Sequence, residues 1–420
     1  MRPPSLDDNN LKIILTITTD LGDSFLSSDE PVPISVWLAK WPQAGAGICL
    51  TPRKNGKTEV FWRSGMRILK LAVPIPKKVL LEMKKVISST KPVPTIRITA
   101  SHDLEDIPKA GDIPFDQEGR VLAVEADFPR PTDEEPTFEA WRNFALPGDG
   151  CLRVCEEIGE SIDRHVWDAG VTTMGLLLNI CQNESPQHKW DKTPLLEQLL
   201  QSVTPETPLN VIELGCGVGI LGLGLAAALY RRNSSLWRPE EPSQSPSHIL
   251  LTDLPDAEQI AVRNIASEKQ GKLSLPGRKP SVTAKFESLD WEDGKVGKFG
   301  PEAEARSWDV IIISDCTYNV DMLSALVGCI SALHKLSMEM DQKKSPKVML
   351  ATKPRHFSEK ALFGLMEGDG WSILEHASQP LPVLGMEDES VEIYLFDKDS
   401  KPSRGPQEST RPDTKRRKLR

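Results

Sequence analysis

The sequence predicts an α/β fold built on a doubly wound, mostly parallel sheet, preceded by a β-rich accessory region. Three observations predict it. From Cys151 to about Lys398, short apolar runs alternate with segments of helical periodicity, the pattern of repeated strand–helix–strand units. Runs such as VIIIS are apolar at nearly every position, as strands buried on both faces must be. A glycine-rich segment, VIELGCGVGILG, joins the first of these strands to a helix, where open α/β sheets bind ligands.

Residues 1 to about 150 are rich in proline and contain the short runs LKIILTITTD, PISVWLAKW, TEVFWRS, MRILKLAV and TIRITA. Turn residues separate them, and several alternate or are β-branched, which predicts strands. Lys77–Ser88 has apolar residues at helical spacing and predicts one helix. Trp37, Trp41 and Trp62 are expected in the core of this region.

In the second region, Trp167–Cys181 reads as a helix, Asn210–Leu214 as a strand and Ile220–Tyr230 as a helix. His248–Thr252 and Ala257–Lys269 form the next strand and helix, followed by strands at Val282–Phe286 and Asp309–Ile313. Met322–His334 is a helix, Lys347–Ala351 a strand and Ser358–Glu367 a helix. Trp371–Glu375 and Val391–Phe396 close the sheet. Two polar insertions, Arg231–Ser247 and Glu292–Ser307, lack apolar periodicity and read as loops. The segment 399–420 has almost nothing to bury and is expected to be disordered.

The chain has 420 residues, 26% of them charged, with a net charge of -9. That balance suits a globular protein with a sizeable core, and its sign opposes non-specific binding to nucleic acid. Charge is uneven: from Asp399 onward eight Lys or Arg face three Asp or Glu. The seven cysteines are scattered and lack paired spacing, which predicts free thiols and no structural metal. Val211–Tyr230 is long enough for a membrane span, but Glu213 and the clustered glycines favour strand, turn and helix. No secretory signal is expected from MRPPSLDDNN.

The chemistry concentrates on the glycine segment. Gly215, Gly217 and Gly219 permit a tight turn and close backbone approach to a ligand, and amides at a helix start favour electron-rich groups. Gly217, Gly219 and Gly222 also satisfy the dinucleotide fingerprint G-x-G-x-x-G, and a turn serving packing alone would look similar. Glu213, just before the first glycine, suits a ligand bearing an amino group rather than a diphosphate, which favours the sulfonium cofactor S-adenosyl-L-methionine. Asp253 ends the second strand, where a carboxylate meets ribose hydroxyls or caps the following helix. Asp290 and Trp291 in FESLDWED are placed for the amino group and the ring of adenine. Asp315 leaves the fourth strand in SDCTY, with Tyr318 just behind it.

The order WDAG, VIELGCGVG, LLTD, LDW and SDCTY resembles the seven-β-strand protein-lysine methyltransferases, marked by D-x-x-Y after strand four. The resemblance covers residues from about 155 to 398 and implies a Rossmann-like seven-stranded sheet that uses S-adenosyl-L-methionine. It implies that Trp167 covers part of the cofactor and that the turn from Glu213 to Gly219, with Cys216, holds its methionine end. Asp253 would take the ribose, Trp291 and Ser314 the adenine side. Asp315 and Tyr318 would flank the channel of a substrate lysine. The family often has hydrophobic residues between that Asp and Tyr, where this chain has Cys316 and Thr317. SDCTYN does not match the N-P-P-Y of nucleic-acid amino-methyltransferases.

The expected reaction is in-line transfer of methyl from sulfur to a neutral lysine amine of a non-histone protein partner, by a monomer that engages neither membrane nor nucleic acid. A small-molecule N-methyltransferase would use the same cofactor site, and a scaffold would keep the fold without catalysis. The run Lys415–Lys418 fits either a nuclear import signal or a solvated tail, so the cytoplasm and the nucleus are both expected locations.

Overall fold

The computed structural model describes residues 2–398, except 8, 40–46, 78, 82–93, 105, 117, 129–138, 148–149, 159–161, 183–192, 234–244, 271–279 and 386. The centre of the molecule is a seven-stranded sheet. Its strands are β1 (Asn210–Leu214), β2 (Ser247–Asp253), β3 (Val282–Ser288), β4 (Val310–Ser314), β5 (Lys347–Thr352), β6 (Trp371–Leu381) and β7 (Glu389–Lys398). They lie in the order β3-β2-β1-β4-β5-β7-β6. The first five are parallel, and β7 pairs antiparallel with both β5 and β6. The doubly wound α/β class expected from the sequence is the class observed, with a reversed closing hairpin.

Helices pack on both faces. They are α1 (Asp168–Gln182), α2 (Pro194–Gln201), α3 (Ile220–Asn233), α4 (Pro255–Gln270), α5 (Trp291–Gly294), α6 (Pro301–Glu304), α7 (Leu323–Met340) and α8 (Ala361–Gly368). On one face α1, α3 and α4 bury Met174, Leu177, Leu223 and Ala261 against β-strand residues Val211, Leu251 and Ile312. On the other, Leu326, Ile330, Leu333 and Leu362 cover Ile212, Ile311 and Leu350. Strands with apolar side chains pointing both ways are what this double coverage requires. Helices α1 and α3 cross closely because Gly224 faces Met174: a Cβ there would stand 2.2 Å from Met174 Cγ. The candidate membrane stretch Val211–Tyr230 is divided into β1 and most of α3, both in this core.

The insertion Glu292–Ser307 is not simply a loop, since it holds most of α5 and all of α6. Both are single turns, too short for the apolar period of a longer helix to be visible. Helix α2 also lay beyond the sequence reading, although Leu196 and Leu200 bury one face of it. The insertion 231–247 is described only at its two ends, where 231–233 continue α3 and Ser247 starts β2.

The first region is β-rich. An antiparallel six-stranded sheet runs Gly150–Glu157, Glu139–Leu146, Val124–Asp127, Thr95–Thr99, Ser35–Leu38, Ile48–Cys49. Arg2–Asp7, Asn10–Leu15 and Leu69–Pro74 form a second, three-stranded sheet. Leu11, Ile13, Val36, Trp62, Ile96 and Phe128 fill the core between them. Trp37 and Trp62 are buried as expected, and Trp41 lies outside the described residues. So does most of Lys77–Ser88, of which 77 and 79–81 are helical. The segment 399–420 is likewise outside them. None of the seven cysteines is paired.

One of the buried side chains that stitch the two regions together is Asn264. Asn264 of α4 is fully buried; its Oδ1 accepts the Cys155 amide at 2.7 Å, and its Nδ2 donates to the carbonyls of Cys155 and Val218 at 2.9 Å each. A helix residue thus joins the last strand of the six-stranded sheet to the glycine turn after β1.

Candidate functional site

All five parallel strands end at one edge of the sheet, and the glycine turn leaves β1 beside the point where strand order reverses. Gly215, Gly217 and Gly219 have φ of +68°, +52° and +79°, the left-handed region that side chains resist. At Gly215 space is short as well: a Cβ would lie 2.4 Å from Cys316 Sγ and 3.1 Å from Trp291 Cζ2. At Gly217 it would lie 2.9 Å from the Asp163 carbonyl. The turn is therefore walled by β4's exit, by the start of α5 and by the 3-10 turn Ile162–Arg164.

Glu213 faces away from this cleft. It is 1% exposed, and its Oε2 accepts the Gly222 amide at 3.0 Å. Burial pushes its carboxyl up to about 8, against the pull of that amide. The expectation that it meets an amino group of the ligand is corrected here: its position in β1 points its side chain into the interface with α3. It supports the turn from behind.

Asp253 does reach the turn. Its Oδ2 accepts the Gly217 amide and its Oδ1 the Leu254 amide, both at 2.7 Å. Burial raises its carboxyl, while the two amides pull it down. The carboxylate serves the start of α4 and the glycine turn together. Cys216 is buried, with its amide donating to the Thr252 carbonyl at 3.0 Å, so it anchors the turn to β2. Its thiol is held well above the ordinary range, by burial first.

Trp291 is half-buried against Gly215, where its ring can cover a flat ligand. Asp290 beside it is exposed, and its Oδ1 accepts the Glu292 amide at 2.8 Å. That is an N-cap for α5, a use the sequence reading did not weigh. Ser314 Oγ is buried without a hydrogen-bond partner, 3.7 Å from the position of a Cβ at Gly170. An orphaned hydroxyl, a turn with glycine at every second position and an aromatic ring converge on one cleft, and they fit a bound nucleoside.

Asp315 follows at φ +51°, a strained setting for a residue other than glycine. It is buried, and its carboxylate is already engaged. Oδ1 accepts Arg355 Nη1 at 2.6 Å and the Lys353 amide at 3.2 Å, and Oδ2 accepts the Ala169 amide at 3.1 Å. Asp315 therefore does not line an open channel as expected; its bonds tie β4, β5's exit and the start of α1 together. Burial pushes its carboxyl up, and the Arg355 guanidinium opposes that. Tyr318, by contrast, is 55% exposed at the rim. Cys316 and Thr317 between them have local duties. The Cys316 thiol packs against the carbonyls of Leu214, Gly215 and Ser314, and Thr317 Oγ1 donates to Glu359 Oε2 at 2.7 Å.

Trp167 precedes α1 and donates its indole N–H to the Ile162 carbonyl at 3.0 Å. The Arg355 guanidinium lies over its ring, 5.1 Å from the centroid. Sequence reasoning missed Asp163, Lys353 and Arg355. The signal for the last two was present in TKPR, a pair of cations just past the carboxyl end of β5.

A Rossmann-like seven-stranded sheet, a glycine turn at its switch point and an acidic end to β2 define an S-adenosyl-L-methionine-dependent methyltransferase fold. The family model described as lysine methyltransferase matches residues 148–369. That is just over half of the chain, and the chain belongs to this family; its cofactor is S-adenosyl-L-methionine. A UPF0665 family protein of Schizosaccharomyces pombe is 28% identical over 222 residues, covering 53% of this chain and 51% of that protein. The chain thus spans about half the length of this curated relative. Among solved structures, a SAM-dependent methyltransferase from Methanosarcina mazei is 13% identical with a TM-score of 0.31, covering 50% of this chain and 98% of the other. One from Agrobacterium tumefaciens is 12% identical with a TM-score of 0.34, covering 67% and 75%.

Proposed function

We propose that the protein transfers a methyl group from S-adenosyl-L-methionine to the side-chain amine of a lysine in another, non-histone protein. The observation that carries this reading is the exit of β4, where buried Asp315 and exposed Tyr318 stand at the spacing D-x-x-Y beside the glycine turn. The family description supports the same acceptor.

The bound cofactor supplies an activated methyl on a sulfonium, so the protein's contribution is alignment. In this reading the amides of Gly215 to Gly219 hold the methionine end. Asp253 takes the ribose, while Ser314, Asp290 and Trp291 hold and cover the adenine. Trp167 closes the far side. A free lysine with pKa of about 10.4 is almost wholly protonated at neutral pH, so its proton must leave before transfer. Desolvation beside Trp167 and Tyr318 lowers that pKa. Asp315, fixed by Arg355, provides a steady negative charge behind the rim rather than a base.

The test is transfer of labelled methyl from the cofactor into a cell lysate, followed by hydrolysis and separation of methylated amino acids. Methyl-lysine in the protein fraction, absent with Asp315→Asn, is the expected result. Label confined to the metabolite fraction, or equal labelling by Asp315→Asn, overturns the reading. We further propose a monomer working in the cytoplasm, the nucleus or both, the basic run Lys415–Lys418 favouring nuclear entry. Unchanged distribution of a fluorescent fusion lacking residues 415–420 would end the nuclear part.

A further inference from the structure

The cations behind Asp315 are held by a residue from the opposite end of the chain. Asp20 sits in a tight turn of the first region, closed by the Thr18 and Phe25 bridge and by the Gly22 amide donating to the Thr19 carbonyl. Its side chain is 3% exposed. Oδ1 accepts Lys353 Nζ at 2.8 Å; Oδ2 accepts Arg355 Nη2 at 2.7 Å and the Asp168 amide at 3.2 Å. Arg355 therefore spans two carboxylates, with Nη2 on Asp20 and Nη1 on Asp315. Lys353 adds Asp168 Oδ2 at 2.8 Å and Glu389 Oε2 at 2.7 Å.

We infer that Asp20 is a positioning residue for methyl transfer: the first region completes the acceptor end by fixing Arg355, and through it Asp315 and the start of α1. This rests on the reading of Asp315 given above. Three arguments support it. A guanidinium makes two parallel contacts in a fixed fork, so losing one carboxylate frees it to rotate and withdraw from the other. The Asp168 and Ala169 amides, adjacent at the N-terminus of α1, are taken by Asp20 and Asp315; the two carboxylates set the angle of one helix start. Trp167 lies immediately before that start, with Arg355 over its ring. Charge agrees with geometry: burial alone would raise the Asp20 carboxyl, but Lys353 and Arg355 override it and hold it below its ordinary value.

The experiment uses the full chain with four variants: Asp20→Asn, Arg355→Gln, their combination, and Asp315→Asn. Two quantities are read: the rate of labelled-methyl transfer to lysate protein at saturating cofactor, and the dissociation constant for S-adenosylhomocysteine by calorimetry. Asp20→Asn is expected to lose about tenfold or more in rate, with cofactor affinity within about threefold of wild type. The combined variant should lose less than the two single losses multiplied together, because both share one guanidinium while Asp20 also holds the Asp168 amide and Lys353; fully multiplied losses overturn the bridge. A residue that only stabilises the fold would not give that non-additivity.

A wild-type rate in Asp20→Asn beside an inactive Asp315→Asn removes the role of Asp20 alone. A wild-type rate in Asp315→Asn removes the acceptor-end reading and the role of Asp20 with it. If Asp20→Asn fails to fold, Arg355→Lys is read instead, since it keeps the charge and loses the fork. Slow transfer with intact cofactor affinity then supports the bridge, and a wild-type rate overturns it.

Discussion

The Asp253 carboxylate accepts the Gly217 amide at 2.7 Å, so the end of β2 and the centre of the glycine turn are one hydrogen-bonded unit. The strand-end carboxylate thus also shapes the loop beside it. Asp253→Ala is expected to weaken S-adenosylhomocysteine binding by more than a single lost contact. Hydrogen bonds to a charged group are worth about 1.5–3 kcal/mol, or roughly tenfold to a hundredfold in affinity. Calorimetry checks this, and an affinity within about threefold of wild type would count against the coupling.

Gly215 tests the cradle from the other side. A methyl group there would press on Cys316 Sγ at 2.4 Å in a backbone region that side chains avoid. Gly215→Ala should abolish cofactor binding in a protein that still folds. Adding Cys316→Ala relieves the clash but not the φ, so recovery should be partial at most. Full recovery in the double variant would show that the left-handed backbone is not required.

Glu213 makes stability depend on pH. Below pH 4.5, its ordinary value, folded and unfolded chains both hold the proton and nothing is lost. Above that the unfolded chain releases it, while the folded chain retains it up to about pH 8. Stability therefore falls as pH rises through that window, by about 1.4 kcal/mol for each unit of separation. Glu213→Gln keeps the acceptor for the Gly222 amide and removes the proton. Urea melts at about pH 5 and about pH 8 should show the variant gaining on wild type at the higher pH. A constant difference between them would mean that Glu213 is not protonated when buried.

Asn264 carries three hydrogen bonds in a site with no water access. Asn264→Ala strands the Cys155 amide and the carbonyls of Cys155 and Val218. At about 1–3 kcal/mol for each unsatisfied group, a loss of at least about 3 kcal/mol is expected in denaturant melts. Because Val218 belongs to the glycine turn, cofactor affinity should fall too. A variant as stable as wild type would mean that the two regions are not stitched there.

Much of this was legible in the sequence, for definite reasons. β1 was read to the residue because Asn210–Leu214 is a short, mostly apolar run followed at once by Gly215. The places of Gly215, Gly217 and Asp253 in the fold were legible because what fixes them is local: a turn, a strand end, a helix start. What could not be read was direction and distance. Nothing in the spelling of VIEL says that Glu213 turns toward α3, because alternation in a doubly covered strand has no polar side. Asp315 was recognised at its strand end, yet its partners Ala169, Lys353 and Arg355 come from outside its motif. Asn264 sits in an ordinary helical stretch, and its value appears only when another sheet's edge arrives beside it.

The contact between Asp20 and Lys353 joins residues 333 positions apart. During synthesis it cannot close until Lys353 has left the ribosome, and regions of this size fold largely as units. Asp20's turn therefore waits for a cation that is made 333 residues later. In a refolding experiment the glycine turn, whose partners are close in sequence, should recover cofactor binding first. Transfer should return later, when the two ends meet. A refolding intermediate in which that contact is still open would then bind the methyl donor without passing the methyl on.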